Sequence, residues 1–384
     1  MTRTEKLLAE LIALPSVNPG FLAAGADAPR HARPGRFYGE KNVADFLAAT
    51  AAAAGLEVEF QPVLPDRSNL LVRLVPRGGV QRTVLLAPHL DTVDAEDAQF
   101  TPQWKRGRLY GRGSCDTKGS VAAMLTALCE LAESPARPQT TQIVFAGLID
   151  EEHAQAGSRA LAAGGFRADL AIVGEPTRLQ VLTAHKGSLW LRLETKGRAA
   201  HGATPQLGRN AVHEMARVVD VLESEYAAQL RHRRHPLLGA ATVNVGQING
   251  GTQPNIVPAA CAITVDRRTL PGETDGAVTR EIGALLRRRR LRARIVNTKI
   301  APAPALETDP RLPLVRQFLA AAGQTAAAGA QYFCDAAVLA AAGIPAVVFG
   351  PGDIAQAHTV DEWIAPAQVE RAKDLLRKFL QALP

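Results

Sequence analysis

The chain has 384 residues, enough at about 150 per domain for two or three domains or one core with a large insertion. Hydrophobic residues make up 47% and charged residues 21%, which excludes a disordered chain and allows a sizeable core. A net charge of +7 suits an anionic substrate without calling for nucleic acid, and four scattered cysteines with no C-x-x-C pair speak against a disulfide framework or a thiolate zinc site.

In chain order, the N-terminal MTRTEKLLAELIALP carries charges where a targeting signal needs an unbroken apolar stretch. Leu7, Leu8, Leu11 and Ile12 recur at helical spacing, so the segment reads as an amphipathic helix on a core. Residues 40–54 and 119–131 also read as helices. Between and after them come four continuous apolar runs, at 84–87, 143–149, 170–173 and 346–349. Such runs suit strands buried on both faces of a mostly parallel sheet, and their alternation with helices predicts an α/β fold with that sheet at its centre. The uncharged stretch 336–352 is broken by Gly343-Ile344-Pro345 and is too short to span a bilayer. The chain therefore reads as a soluble, cytoplasmic protein with no membrane partner.

The middle follows another pattern. Residues 186–196 alternate like a half-exposed strand, 210–230 read as a helix, 241–248 and 259–268 as strands, 273–289 as a helix and 291–297 as a closing strand. The order β-α-β-β-α-β is that of an α+β, ferredoxin-like module. An inserted domain is thus expected at 179–296, interrupting a core made of 1–178 and 297–384. The run Arg287–Arg290 reads as a solvated helix end, since a nucleic-acid patch would interleave aromatics.

Each of the four apolar runs leads to a potential metal ligand: His89 and Asp91 after the first, Asp150-Glu151-Glu152 after the second, Glu175 after the third and His358 after the fourth. In open α/β sheets the functional crevice lies beyond the carboxyl ends of the strands. Asp116, in GRGSCDTKG just before the helix at 119, joins the set. Imidazole and carboxylate without thiolate suit a catalytic rather than a structural zinc. Two divalent ions against three carboxylates leave one net positive charge, able to hold a bridging hydroxide and then an oxyanion; paired metals about 3.5–4 Å apart are a recurrent hydrolytic device. Of the adjacent Glu151 and Glu152, one carboxylate can bind metal while the other serves as general base. A thiol nucleophile at Cys115 lacks a histidine–acid partner, and Gly111-Arg112-Gly113 continues to Asp116 instead of a third glycine, against a dinucleotide site.

HLDT (89–92), GRGSCDTKG (111–119), DEE (150–152), GEPT (174–177), AAHGATP (199–205) and His358, in this order, resemble the dinuclear-zinc family of acetylornithine deacetylase, succinyl-diaminopimelate desuccinylase, aminoacylase and glutamate carboxypeptidase. The resemblance runs from about His89 to His358. It implies two Zn²⁺, replaceable by Co²⁺: His89 and Glu175 on one, Glu152 and His358 on the other, Asp116 on both. It further implies that Asp91 orients His89, that Glu151 is the general base, and that a cis peptide follows Asp116. His201, in the inserted domain, would reach a partner subunit's site and polarise the scissile carbonyl, making that domain a dimerisation and lid module of a homodimer. Asn255 and Arg268 match positions that hold the substrate carboxylate, a task for which arginine's planar fork is fitted. The chain departs from several relatives at Cys334, where they carry threonine or serine. GPGDIAQAH (350–358) and Cys115-Asp116 are most similar to the acetylornithine deacetylase branch, with N-acetylornithine as the expected substrate. Desuccinylase, other aminoacylase and dipeptidase or carboxypeptidase readings stay open, as does a metal-free binding protein on the same fold.

Overall fold

The computed structural model describes residues 1–22 and 38–384. In chain order the elements used below begin with α1 (Arg3–Ile12), α2 (Lys41–Ala53), β1 (Glu57–Leu64), β2 (Arg67–Leu74), β3 (Arg82–Pro88), α3 (Gly119–Ala132), β4 (Thr141–Gly147), α4 (Ala156–Ala163) and β5 (Leu170–Gly174). There follow β6 (Gly187–Lys196), α5 (Ala211–Asp220), β7 (Thr242–Gly250), β8 (Ala260–Thr269), α6 (Asp275–Arg288) and β9 (Arg294–Asn297). The last are α7 (Pro313–Ala321), α8 (Ala336–Ala341), β10 (Ala346–Val348) and α9 (Pro366–Gln381).

The chain divides into two compact units, one of residues 1–183, 308–328 and 334–384, the other of 184–307 and 329–333. These borders, at 183/184 and 307/308, lie five and eleven residues beyond the 178/179 and 296/297 expected from the sequence, and residues 329–333 join the second unit.

In the first unit the strands lie in the order β1-β2-β4-β3-β5-β10. β4, β3, β5 and β10 are parallel neighbours, and the antiparallel hairpin β1-β2 extends the sheet beside β4. The four apolar runs form these parallel strands, with Val84–Ala87, Ile143–Ala146, Leu170–Val173 and Ala346–Val348 all buried. Burial on both faces is what removes the alternation an exposed strand shows. α1 turns Leu7, Leu8, Leu11 and Ile12 inward, and α3 is apolar nearly all round because it is buried between neighbours. Among the described residues no helix is long and apolar enough to cross a membrane. Because the four central strands run the same way, the loops after them all emerge at one edge of the sheet. Strand direction thus gathers residues spread from 89 to 358.

The second unit is a four-stranded antiparallel sheet in the order β7-β8-β6-β9, with α5 and α6 in the two crossovers. Strand order and β-α-β-β-α-β sequence are those of the ferredoxin-like motif. In β6, Leu189, Leu191 and Leu193 are buried and pack with Met215 and Val218 of α5 and Ile282 and Leu285 of α6, while Trp190 and Arg192 face out. The closing strand is shorter than its apolar pattern suggested, beginning at Arg294.

Candidate metal centre

The chain leaves β3 as Pro88-His89 and leaves β4 as Leu148-Ile149-Asp150, and two backbone hydrogen bonds carry the parallel pairing past the strand ends: Leu148 N–H to the Pro88 carbonyl at 2.9 Å and Leu90 N–H to the Leu148 carbonyl at 2.8 Å. His89 is thereby held at the sheet edge and buried. Its Nε2 lies 3.1 Å from Asp116 Oδ1 and 3.9 Å from Glu175 Oε1. His358 Nε2 lies 3.4 Å from the other oxygen of Asp116 and 3.1 Å from the Glu152 carboxylate. His89, Asp116 and Glu152 each present one ligand atom, all within 4.8 Å of one another. The strand ends and the loop before α3 therefore bring His89, Asp116, Glu152, Glu175 and His358 into one cluster, with Asp116 facing a histidine from each of its oxygens.

His89 Nδ1 lies 3.0 Å from the main-chain oxygen of Asp91 and 3.4 Å from its Oδ1. The Asp91 carboxylate also accepts from the N–H of Glu151 (3.1 Å), the N–H of Glu152 (3.0 Å) and the amide of Asn18 (2.7 Å). One buried carboxylate thus links His89 to the turn that carries both glutamates. Glu151 itself is half-buried, and among the described residues its carboxylate accepts no hydrogen bond. Asp150 and His358 hold left-handed backbone (φ 67° and 63°), a cost for non-glycine residues that clusters at functional sites. The Asp116–Thr117 peptide is cis.

The electrostatics are those of a site short of positive charge. Burial first, and then the carboxylate of Glu175, push Glu151 well above the usual range; burial and neighbouring acids do the same to Glu175 and, more mildly, to Glu152. Hydrogen bonds to Asp116 and Glu152 raise His358 to about 10, and burial, which would lower His89, is overcome by Asp116 and Asp91. Carboxylates forced toward protonation beside imidazoles forced to keep their protons mark a cluster that divalent cations would relieve. The donor set, two imidazoles and three carboxylates, fits such ions. Burial and Asp116 push the Cys115 thiol far up, the opposite of an activated nucleophile.

A profile of peptidase family M20/M25/M40 matches residues 85–382. The chain belongs to that family. It is a hydrolase of amide bonds. Two relatives named acetylornithine deacetylase are similar to it, one from Proteus mirabilis (32% identical over 355 residues, 88% of each chain) and one from Myxococcus xanthus (33% over 356 residues, 87% of this chain and 90% of the relative). In fold the M20 chain is similar to the aminopeptidase PepT of Bacillus cereus (TM-score 0.78, 21% identical, 99% of this chain and 97% of that one). It is also similar to an M20 family metallo-carboxypeptidase from Sulfolobus solfataricus (TM-score 0.76, 18% identical, 99% of each).

His201, Asn255 and Arg268 belong to the second unit of this M20 chain, outside the unit that carries the cluster. His201 is exposed and its Nδ1 accepts from the Ala203 N–H at 3.1 Å; Gly202 N–H donates to the Asn255 carbonyl at 2.8 Å, so the two loops adjoin. Arg268 donates to Asp266 at 2.9 Å, with its guanidinium 5.8 Å from the Phe333 ring centre.

Several residues around the centre carry no sequence signal. Glu362, fully buried, accepts from the N–H groups of Gly113 (2.9 Å), Cys115 (2.8 Å) and Asp116 (3.0 Å) and from Arg112 (2.7 Å), so it seats the loop that carries Asp116. Asn18 bridges Asp91 and Asp150, while Arg67 joins Glu40 to Asp150. Ser158 donates to Asp335 at 2.6 Å. Each is a lone polar residue, and only its distant partner gives it meaning.

Proposed function

We propose that the chain is a zinc-dependent amidohydrolase that splits an N-acyl amino acid into a carboxylic acid and a free amine, with N-acetylornithine as its substrate and a place in arginine biosynthesis. The observation that carries the reading is Asp116, one carboxylate with a histidine before each oxygen and an acid beside each histidine. His89 and Glu175 would hold one ion, Glu152 and His358 a second, and Asp116 both. Divalent ions there supply Lewis-acid charge that acidifies water and offsets negative charge on a carbonyl oxygen. The free carboxylate of Glu151 takes a proton from the attacking water and returns it to the leaving nitrogen. Asp91, tied to the Glu151 and Glu152 N–H groups, orients His89 and holds that proton carrier in register with the ligands. His201 would polarise the carbonyl from a partner subunit across an interface of inserted domains (179–296), in a cytoplasmic homodimer. Asn255 and Arg268 would grip the substrate carboxylate. The overall likeness to two acetylornithine deacetylases at 32% and 33% identity supports this branch over its neighbours.

A panel of N-acetyl, N-succinyl and dipeptide substrates, assayed with zinc before and after chelation, tests the reading. N-acetylornithine should give the highest kcat/KM, lost on chelation and regained with Zn²⁺ or Co²⁺. A preferred N-succinyl or dipeptide substrate would move the protein to another branch. Full activity in metal-free protein would end the mechanism.

A further inference from the structure

The arginine run at 287–290 divides by its neighbours. Arg288 and Arg289 turn to Glu225, at 3.0 and 2.6 Å, as a solvated helix end does. Arg287 does not. It lines a cavity of about 750 Å³ formed wholly within the second unit, between α6 and the ends of β6 and β9, together with Lys196, Arg209, Arg280, Arg292 and Arg294. Two carboxylates, Glu194 and Glu214, share the wall; Arg294 lies 3.8 Å from Glu194, and Lys196 acts on the same carboxylate from farther away. Among the described residues the five cations besides Arg294 have no carboxylate within ion-pair distance. Like charges gathered in a concavity repel one another and focus a positive field there, which does nothing for folding and favours an anion.

The floor is of a different character. Leu286 and Leu291 are buried beneath the rim and Ile295 is half-buried. Arg280, Gly283 and Arg287 fall on one face of α6. A Cβ at position 283 would meet only Arg287 Nη1 at 3.4 Å and Ile295 Cδ1 at 3.8 Å, ordinary contacts, and the backbone there does not need glycine. Glycine inside a helix is disfavoured relative to alanine. Gly283 lines the cavity, where a larger side chain would take up space above the aliphatic floor.

Arginine forks bind phosphate oxygens two at a time, an aliphatic floor takes an apolar portion, and the volume falls in the range of small-molecule sites. We propose that this cavity binds a small organic polyphosphate, of the nucleoside triphosphate class. None of the residues that line it belongs to the metal cluster of the first unit.

Isothermal titration of the full-length protein at low ionic strength with ATP, inorganic triphosphate and adenosine tests it. ATP should bind at least tenfold more tightly than triphosphate, and adenosine should give no heat. An Arg280→Gln/Arg292→Gln double variant should weaken ATP at least tenfold. Gly283→Leu should weaken ATP tenfold while changing triphosphate less than twofold. Arg288→Gln/Arg289→Gln, outside the cavity, should change neither by twofold. The absence of ATP binding overturns the proposal. So does triphosphate bound as tightly as ATP, or an equal loss in the Arg288/Arg289 variant, which would mean diffuse surface charge. Circular dichroism checks each variant's fold, and if Gly283→Leu fails to fold the two arginine pairs decide alone.

Discussion

Replacing Glu362 by glutamine probes how the Asp116 loop is seated. The carboxylate has four partners: Oε1 takes the N–H groups of Cys115 and Asp116, while Oε2 takes the N–H of Gly113 and the Arg112 guanidinium. Glutamine keeps one acceptor oxygen, so two of the four bonds are lost and its NH₂ is turned against two donors. At about 1.5–3 kcal/mol for each hydrogen bond to a charged group, the loss is about 3–6 kcal/mol. The buried Arg112 charge, with its side chain 4% exposed, is also left unpaired, a defect that costs about 3–5 kcal/mol in comparable buried pairs. The two views describe one perturbation, and we expect about 3–5 kcal/mol. Urea denaturation followed by circular dichroism measures it. Arg112→Met, alone and combined with Glu362→Gln, should show the double variant less destabilised than the sum, by about 1–3 kcal/mol, because removing both charges leaves neither stranded. Since Asp116 N–H is one of the donors, zinc affinity in Glu362→Gln should fall about 10–100-fold. A Glu362→Gln protein within 1 kcal/mol of the parent, measured to that threshold and with unchanged zinc affinity, would refute the idea that this carboxylate seats the loop.

Glu151→Ala should retain its metal content by elemental analysis yet lose about 10²–10⁴-fold in kcat, since only the proton carrier is removed; loss of metal would reassign Glu151 as a ligand. Mixing inactive His201→Ala with inactive Glu151→Ala should restore part of the activity if His201 serves a neighbouring subunit, and none in proven heterodimers if each site is built from one chain. His185 is buried, with Nδ1 2.9 Å from the Lys186 carbonyl and, among the described residues, no partner at Nε2, and burial lowers its pKa from 6.5 to about 4. The unfolded chain therefore binds the extra proton first, so this contribution is complete above pH 6.5 and is lost as the pH falls toward 4, by about 3 kcal/mol. His185→Leu should narrow the gap between urea midpoints at pH 7 and pH 4.5; an unchanged gap would mean that His185 does not carry the acid sensitivity.

Much of the centre could be read from the sequence because its signals are local. An unbroken apolar run is a strand covered on both faces, and His89, Glu152, Glu175 and His358 each follow such a run within a few residues or one short loop. The β-α-β-β-α-β order of the second unit was legible for the same reason, since periods of 2 and 3.6 survive within a single element. Other features were settled only by tertiary structure: that β4, β3, β5 and β10 lie side by side, which oxygen of Asp116 meets which histidine, and that Glu362, 246 residues further along, holds the Asp116 N–H. Hydrophobic pattern records how much of an element is buried. It does not record which buried donor meets which acceptor, because those partners are chosen by contacts between segments far apart in the chain, and a lone glutamate or asparagine looks the same whether it seats a buried loop or faces water.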